Sequence, residues 1–349
     1  MSLVIGIGVL LVLVVLYMIF RVGTLMSVIK GPDKIGGTAN KINAFLFLVF
    51  MFASLIGFFW YSYTHFDSYQ IPVASEHGVI TDHLFWLTMI VCVAASTVIF
   101  AAMFWITFVY QYKEGRKAKF LVDSHVLELV WTGIPAVVMA LLIFKGLDAW
   151  NDITDPASKD AEVIELVAQQ FAWTARYPGN DKQLGKIDFR LIDNTNEFGL
   201  NLAEDPNTFD DFKAQELHLP KGKEVLLKIR AKDVLHSVYL PQFRVKMDAV
   251  PGMSTHFKFV PTKSTADMRK ETNNPKFNYE LACAEICGKG HFSMRLIVVV
   301  DEMAVYEKWK TEQESWLKQN PEYRKYVPEK YKEMADIKSG VTPSGVAVN

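Results

Sequence analysis

The sequence predicts a membrane anchor of four transmembrane α-helices, followed by an all-β domain outside the membrane and a C-terminal helix. The chain has 349 residues, of which 50% are hydrophobic, and its long apolar runs all lie within roughly the first 150. The later part contains short β-branched stretches separated by Pro, Gly, Asn and Asp, a pattern typical of strands. Clusters of basic residues alternate between the loops, which indicates a defined orientation in the membrane.

Composition excludes several classes of protein. The 37 Lys and Arg residues nearly balance the 38 Asp and Glu residues, which argues against a basic nucleic-acid binder. The high apolar content excludes a disordered chain. With 3 Cys, the chain is not a disulfide-rich scaffold. No Cys-x-x-Cys-His occurs, so no covalently attached c-type haem is expected.

Four apolar runs predict the membrane helices: Leu3 to Phe20, Ile42 to Tyr63, Leu84 to Tyr112, and Leu129 to Trp150. Each run has or approaches the ~20 residues needed to cross a bilayer. A cleaved signal peptide is the alternative for the first run, but no basic segment precedes it, so a retained helix is favoured. Cys92, in the third run, is predicted to be a small buried hydrophobe.

Loop charges predict the orientation of these helices. The loop between the second and third runs has no Lys or Arg. The other two loops are basic, and the positive-inside rule places them in the cytoplasm. The N-terminus, the 66–81 loop and everything after Trp150 then lie outside. The basic residues are Arg21, Lys30, Lys34, Lys41, Lys113, Arg116, Lys117 and Lys119.

The remainder of the chain is predicted to be an exported β domain. Strand-like stretches are Val163 to Tyr177, Glu224 to Arg230, His256 to Val260, and Arg295 to Val300. Residues 181–216 are polar and acidic and indicate an excursion from the β core, which either steers a basic partner or is a solvated surface loop. Residues 303–334 predict one or two helices, with a flexible tail after them. The predicted domains are 1–65, 66–150, 151–302 and 303–349.

A group of metal-binding residue types lies near the C-terminal third. Cys283, Cys287, His291 and Met294 fall within twelve positions, and His236 precedes them. Thiolate, imidazole and thioether together are the ligand set that selects copper. Two cysteines on one loop can place both sulfurs between two metals.

Each metal then takes one imidazole, from His236 or His291. Met294 and the backbone oxygen of Glu285 are the weak additional ligands. Such a dinuclear copper centre has no open position, so it is expected to carry electrons and perform no bond chemistry. A disulfide and a zinc site remain the alternatives for these residues.

These residues resemble those of subunit II of the haem–copper cytochrome c oxidases. The family pattern Cys-x-Glu-x-Cys-Gly-x-x-His-x-x-Met is matched from Cys283 to Met294. Upstream family segments are matched by Asp233-Val-Leu-His236-Ser and by Lys246-x-Asp248-x-x-Pro251-Gly252. The resemblance covers roughly residues 82–310. It implies a cupredoxin-like Greek-key β-barrel carrying the dinuclear copper centre CuA.

The resemblance also implies partners and further sites. Oxidase subunits I and III are the expected partners, with all haems in subunit I. Glu128, before Trp131-Thr132-Gly133-Ile134-Pro135, is similar to the family's acidic residue at the entry of the proton pathway. His125 beside it either joins that entrance or is a plain interfacial residue. The side chain of Glu285 is expected to reach a Mg or Mn ion at the interface with subunit I. The other ligands of that ion are expected in subunit I, because one carboxylate alone cannot form the site.

The chain departs from the family where electrons enter. The usual Gln-Trp-x-Trp is here Gln170-Phe171-Ala172-Trp173, so Phe171 replaces the entry Trp and loses its indole N–H. Phe171 and Trp173 are the expected electron-transfer residues, and the donor is a c-type cytochrome, soluble or permanently bound. The two extra N-terminal helices serve either to contact further subunits, as in a respiratory supercomplex, or as a lineage-specific anchor.

The expected function is electron entry into a terminal oxidase. Electrons pass from the cytochrome through CuA to haem in subunit I, where oxygen is reduced to water with proton translocation. The expected location is the bacterial inner membrane, among lipids, with several spans and the copper domain on the periplasmic side. A thioredoxin-like copper chaperone and a non-redox β domain with a disulfide are the competing classes. Quinol oxidase subunits lack these ligands, nitrous oxide reductase is a longer soluble chain, and a fused cytochrome would add Cys-x-x-Cys-His.

Overall fold

The computed structural model describes residues 2–29, 38–113, 115–117, 120 and 122–340. Lys30, Lys34 and Lys119, used above to orient the chain, and the tail at 341–349 lie outside the described residues. The chain divides into two compact units. One comprises Met1–Gln70 and Leu87–Val137, and the other comprises Ile71–Trp86 and Val138–Asn349.

Four long helices confirm the predicted membrane anchor. They are α1 (Ser2–Ile29), α2 (Thr38–Thr64), α3 (Glu76–Val109) and α4 (His125–Thr154), and each contains a segment long and apolar enough to cross a membrane. Aromatic rings join α2 to α3, with Phe50 and Phe104 centroids 5.6 Å apart. The prediction for Cys92 was wrong, because this residue is exposed on α3. Hydropathy alone does not separate a lipid-facing side chain from one buried in protein.

Helix α3 begins at Glu76, earlier than its apolar run, because its start is held by the β domain. The Ala74 N–H donates to the carbonyl of Gln242 at 2.8 Å, and the Ser75 hydroxyl donates to the carbonyl of Phe243 at 2.7 Å. Residues 71–86 therefore fold with the β domain, although part of this stretch lies in a predicted span.

Ten strands in the described residues form the β domain. They are β1 (Glu162–Gln169), β2 (Ala172–Tyr177), β3 (Phe212–Ala214), β4 (Leu217–Pro220), β5 (Val225–Ala231), β6 (His236–Leu240), β7 (Val245–Ala249), β8 (Thr255–Phe259), β9 (Tyr279–Cys283) and β10 (Arg295–Asp301). One sheet has the order β3-β2-β1-β5-β8, and the other has the order β4-β10-β9-β6-β7. The pairs β1–β5 and β4–β10 are parallel, and the remaining pairs are antiparallel.

The core lies between the two sheets, where alternate residues of each strand point inward. Leu227 of β5 and Val238 of β6 have no exposed surface, whereas Lys228, next to Leu227, faces outward. The four predicted strand stretches are confirmed, the first as the β1–β2 hairpin. The architecture is the cupredoxin-like β domain that the family resemblance implies.

The 181–216 excursion and the C-terminal residues together form a second core. Helices α6 (Met303–Thr311), α7 (Trp316–Gln319) and α8 (Lys332–Ser339) follow the β domain, and a short α5 (Thr265–Glu271) lies within it. Phe198, Leu200 and Phe209 of the excursion pack with Trp316 and Leu317. The prediction of a solvated acidic loop was wrong for its last part, because Asp210 and Asp211 are buried.

Candidate metal centre

The ligand candidates meet at one end of the second sheet. His236 begins β6, Cys283 ends β9, and these strands pair with Val238 opposite Cys283. The loop from Ala284 to Met294 then joins β9 to β10. Sheet pairing therefore brings His236 to the loop that carries the other candidates.

Each cysteine sulfur lies near a different imidazole. The Cys283 Sγ is 3.9 Å from the His236 Nδ1, and the Cys287 Sγ is 3.7 Å from the His291 Nδ1. The two sulfurs are 3.9 Å apart. Of the described residues, the group formed by His236, Cys283 and Cys287 has donor atoms close enough to share a metal ion.

Two weaker donors complete the set. The Met294 Sδ is 3.8 Å from the Cys287 Sγ, and the Glu285 carbonyl oxygen is 3.2 Å from the Cys283 Sγ. Each sulfur thus has one imidazole and one additional donor beside it. The two halves of the site therefore offer similar sets of donors.

The distances exclude a disulfide and are compatible with donors around metal ions. A disulfide bond is about 2.05 Å long, so the separation of Cys283 and Cys287 corresponds to two free thiols. Donors that bind one ion at about 2.0 and 2.3 Å lie roughly 3 to 4 Å from each other. The donor set is soft, which suits copper.

Asp233 and Gln170 support the ligands. The His236 Nε2 lies 2.9 Å from an Asp233 carboxylate oxygen, the usual second partner of a metal-binding imidazole. The other oxygen of Asp233 accepts the Gln170 backbone N–H at 2.7 Å. The Gln170 side chain donates to the Cys287 carbonyl at 2.6 Å. The hairpin β1–β2 is thereby tied to both halves of the site.

Burial opposes the ionised forms of Cys287 and Asp233 in this cluster. Burial, together with the neighbouring Cys283 thiol, raises the pKa of the Cys287 thiol to about 11. Burial opposes ionisation of Asp233, but hydrogen bonds from His236 and two backbone amides hold the pKa of its carboxyl below the usual range. A bound cation would stabilise the thiolates, so metal binding releases protons.

Phe171 lies directly against the ligand loop. A Cβ at Gly290 would be 2.5 Å from the Phe171 Cγ, so the ring occupies the space that any larger residue there would need. Phe171 is 38% exposed, which leaves its outer edge open to a partner. Trp173 is buried, with its ring centroid 6.0 Å from that of His236 in an edge-on arrangement. The structure therefore brings both aromatic residues to the metal centre.

The other two predicted acidic sites differ in their surroundings. Glu128 lies in the first turn of α4, 3.6 Å from the His125 Nδ1, and its side chain is about half exposed. The Glu285 side chain is exposed beside the ligand loop. Among the described residues, neither carboxylate belongs to a group of three or more side chains that could share a metal ion.

Sequence reasoning missed the roles of Gln170, Asp233 and Gly290. Their sequence signal is that Asp233 lies in the same motif as His236 and Gln170 in the same motif as Phe171. Gly290 had no sequence signal of its own, because its role depends on a ring brought from β1–β2.

Comparisons with known proteins identify the family of the chain. A family model described as cytochrome c oxidase subunit II, periplasmic domain, matches residues 163–301, and one for the transmembrane domain matches residues 62–148. An alternative cytochrome c oxidase subunit 2 from Bradyrhizobium diazoefficiens is 36% identical over 252 residues, covering 70% of this chain and 84% of that protein.

Two further matches are more distant. Cytochrome c oxidase subunit 2 of Thermostichus vulcanus is 26% identical and covers 69% of this chain and 77% of its own length. The crystal structure of the periplasmic domain of subunit II of cytochrome oxidase of Bradyrhizobium japonicum is 25% identical. It covers 45% of this chain and 95% of that one, with a TM-score of 0.30. The two family models and the 36% identity over most of both chains establish that this chain belongs to the cytochrome c oxidase subunit II family.

Proposed function

We propose that this membrane-bound subunit of a haem–copper oxidase is the electron-entry subunit. Its extracytoplasmic β domain holds a dinuclear copper centre, CuA, which accepts electrons from a c-type cytochrome. The electrons pass to haem in subunit I, where oxygen is reduced to water with proton translocation.

One observation carries this proposal: two free thiols 3.9 Å apart, each facing a different imidazole. The proposed ligands are His236, Cys283, the Glu285 backbone oxygen, Cys287, His291 and Met294. A copper pair held by them supplies a one-electron carrier with little change in ligand positions. Asp233 orients His236, and Gln170 holds the loop carbonyl of Cys287.

The remaining residues serve the path of electrons and protons. Phe171, exposed and packed on the ligand loop, receives the electron from the donor, and Trp173 packs behind it on His236. Glu128 forms the entry of the proton pathway at the cytoplasmic end of α4. The Glu285 carboxylate reaches a Mg or Mn ion whose other ligands belong to subunit I.

The proposal also covers the partners, the membrane and the domain division of the chain. Subunits I and III are its partners in the bacterial inner membrane, and the haems belong to subunit I. The donor cytochrome is soluble or bound. The extra N-terminal helices would contact further subunits in a respiratory supercomplex. The division into parts at 1–65, 66–150, 151–302 and 303–349 also belongs to this proposal.

The test is spectroscopic, on the full-length chain purified in detergent and loaded with copper. Two coppers per chain sharing one unpaired electron, seen as a seven-line hyperfine pattern in the EPR spectrum, are expected. A near-infrared absorption band should accompany this spectrum. A single-copper spectrum, or a colourless protein with a Cys283–Cys287 disulfide, would overturn the proposal.

A further inference from the structure

Arg244 has a backbone conformation that normally belongs to glycine. It lies in the turn between β6 and β7 with φ at 55° and ψ at 30°, in the left-handed region. A side chain here is strained, and such outliers persist where the surrounding structure gains from them. The gain at Arg244 must come from its side chain, because a glycine would serve the backbone better.

The Arg244 guanidinium makes four contacts. Its Nε donates to one carboxylate oxygen of Asp82 at 2.7 Å, and its Nη2 donates to the other at 2.9 Å. Nη2 also donates to the carbonyl of Ile71, and Nη1 to the carbonyl of Pro241, each at 2.7 Å. This two-pronged pairing fixes direction as well as distance. Both side chains are partly buried, which reduces screening by solvent.

The partners of Arg244 lie at the start of α3. Ile71 precedes the helix, and Asp82 lies in its second turn. On the other side, β6 enters the turn, and β6 begins with the ligand His236. Only the length of one strand therefore separates a metal ligand from the contact with the helix.

We propose that Arg244 is a positioning residue, which clamps the N-terminal turns of α3 to the β6–β7 turn and so holds the metal-binding end of β6 in register with the membrane partner. This inference rests on the proposed function, in which the electron leaves the copper centre for haem in that partner. The hydrogen bonds of the Ala74 N–H and the Ser75 hydroxyl hold residues 71–86 on the β domain, and the Arg244–Asp82 pair fixes the direction of the first turns of α3.

The experiment separates electron arrival from electron departure in the purified oxidase complex. Arg244→Gly removes the side chain and relieves the backbone strain, so the turn is expected to fold. The copper centre is reduced by rapid mixing with hexaammineruthenium(II), and absorbance follows the copper centre and the haem separately. Lys182→Gly is the matched control, since Lys182 is another residue with positive φ, at 58°, in the 181–216 excursion.

The expected result is an unchanged EPR spectrum and an unchanged rate of copper reduction in both variants. Transfer to haem should slow at least about threefold in Arg244→Gly only, because geometry-dependent steps are sensitive to displacements of about 1 Å. Asp82→Asn should slow the same step, and Arg244→Lys should retain part of the rate.

Transfer to haem at the normal rate in Arg244→Gly would overturn the inference and leave the proposed function intact. Slow transfer in Arg244→Gly with normal transfer in Asp82→Asn, or loss of the copper spectrum in Arg244→Gly, would also overturn it. A wild-type protein without a dinuclear copper spectrum would instead remove the proposed function itself.

Discussion

Two clusters of buried polar groups in the β domain differ in how their atoms are satisfied. At the metal centre, four donor pairs around Cys283 and Cys287 lie 3.7 to 3.9 Å apart. Under the excursion, Arg176 lies 2.6 Å from Glu165 and 2.8 Å from Asp211. The sulfur contacts of the first cluster are longer than the ion pairs that close the second cluster.

The Arg176 network is nearly complete without any added group. Arg230 pairs with the second oxygen of Glu165 at 2.8 Å, and Arg176 also donates to the Gly185 carbonyl. The arginines oppose the effect of burial on Glu165 and hold the pKa of its carboxyl below the usual range. Such a network fixes the excursion on β1, β2 and β5.

The contact distances and the residue types distinguish a structural cluster from a functional one. Buried ions that pair at hydrogen-bond distance act on stability, and breaking one pair leaves a bare charge. Soft donors that converge on one point can instead bind a metal ion. Changes in one cluster should therefore leave the other intact.

Loss of a bridging thiol is expected to give the largest effect. Cys287→Ser should abolish the dinuclear copper spectrum, because a hydroxyl does not replace a bridging thiolate. The measurement is copper content and EPR of the purified full-length chain. Cys92→Ser is the matched control and should bind copper normally. A normal spectrum in Cys287→Ser would contradict the ligand assignment.

Breaking the Arg176 network is expected to change stability without changing the metal site. Arg176→Met leaves Glu165 and Asp211 buried without their shared cation, at a cost of about 3 to 5 kcal/mol in the free energy of unfolding. Guanidinium denaturation followed by tryptophan fluorescence measures it. The exposed Arg190 provides the control, since Arg190→Met should change stability by less than about 0.5 kcal/mol. Loss of copper binding in folded Arg176→Met would contradict the separation of the two clusters.

Asp211 makes the network sensitive to pH. Burial raises the pKa of its carboxyl from 3.8 to about 7, although Arg176 lowers it; Asp210 and Glu165 add to the rise. The folded protein therefore keeps a proton that the unfolded chain releases. The resulting stability is complete below pH 3.8 and is lost as pH rises to about 7.

Asp211→Asn should remove that part of the pH dependence. The expected slope in wild type is up to about 1.4 kcal/mol per pH unit, and Asn carries no titrating proton. Denaturation midpoints between pH 5 and 7.5 test this expectation, with the exposed Asp160→Asn as control. A slope in Asp211→Asn equal to that of wild type would show that other groups cause the dependence.

Displacing Phe171 should give the smallest effect. The Cβ of Gly290→Ala would meet the ring at 2.5 Å, so the ring must move off the loop. Reduction by a c-type cytochrome should slow a few-fold, roughly 1 kcal/mol in the barrier, with a normal copper spectrum. Gly146→Ala, where a Cβ meets nothing, is the control. Unchanged cytochrome kinetics would exclude Phe171 as the point of electron entry.

The sequence predicted what depends on neighbouring residues and missed what depends on distant ones. The Cys283–Met294 loop is local, so its chemistry could be recognised from spacing. The approach of His236 to Cys283 depends on strand pairing, so the sequence could offer His236 as a ligand only by its residue type and by the matching family segment. The joint core of Phe198 and Trp316 was missed, because no local pattern links segments so far apart. The left-handed backbone of Arg244 was also invisible, since its residue type predicts another conformation.

The second core has a consequence for how the chain is made. Phe198, Leu200 and Phe209 are synthesised and exported well before Trp316 and Leu317, which cover them. Until the last helices arrive, this apolar surface is open to chaperones and proteases. A chain that stopped before Trp316 would carry every proposed metal ligand and still leave this apolar surface exposed. The C-terminal helices are therefore needed to close the second core.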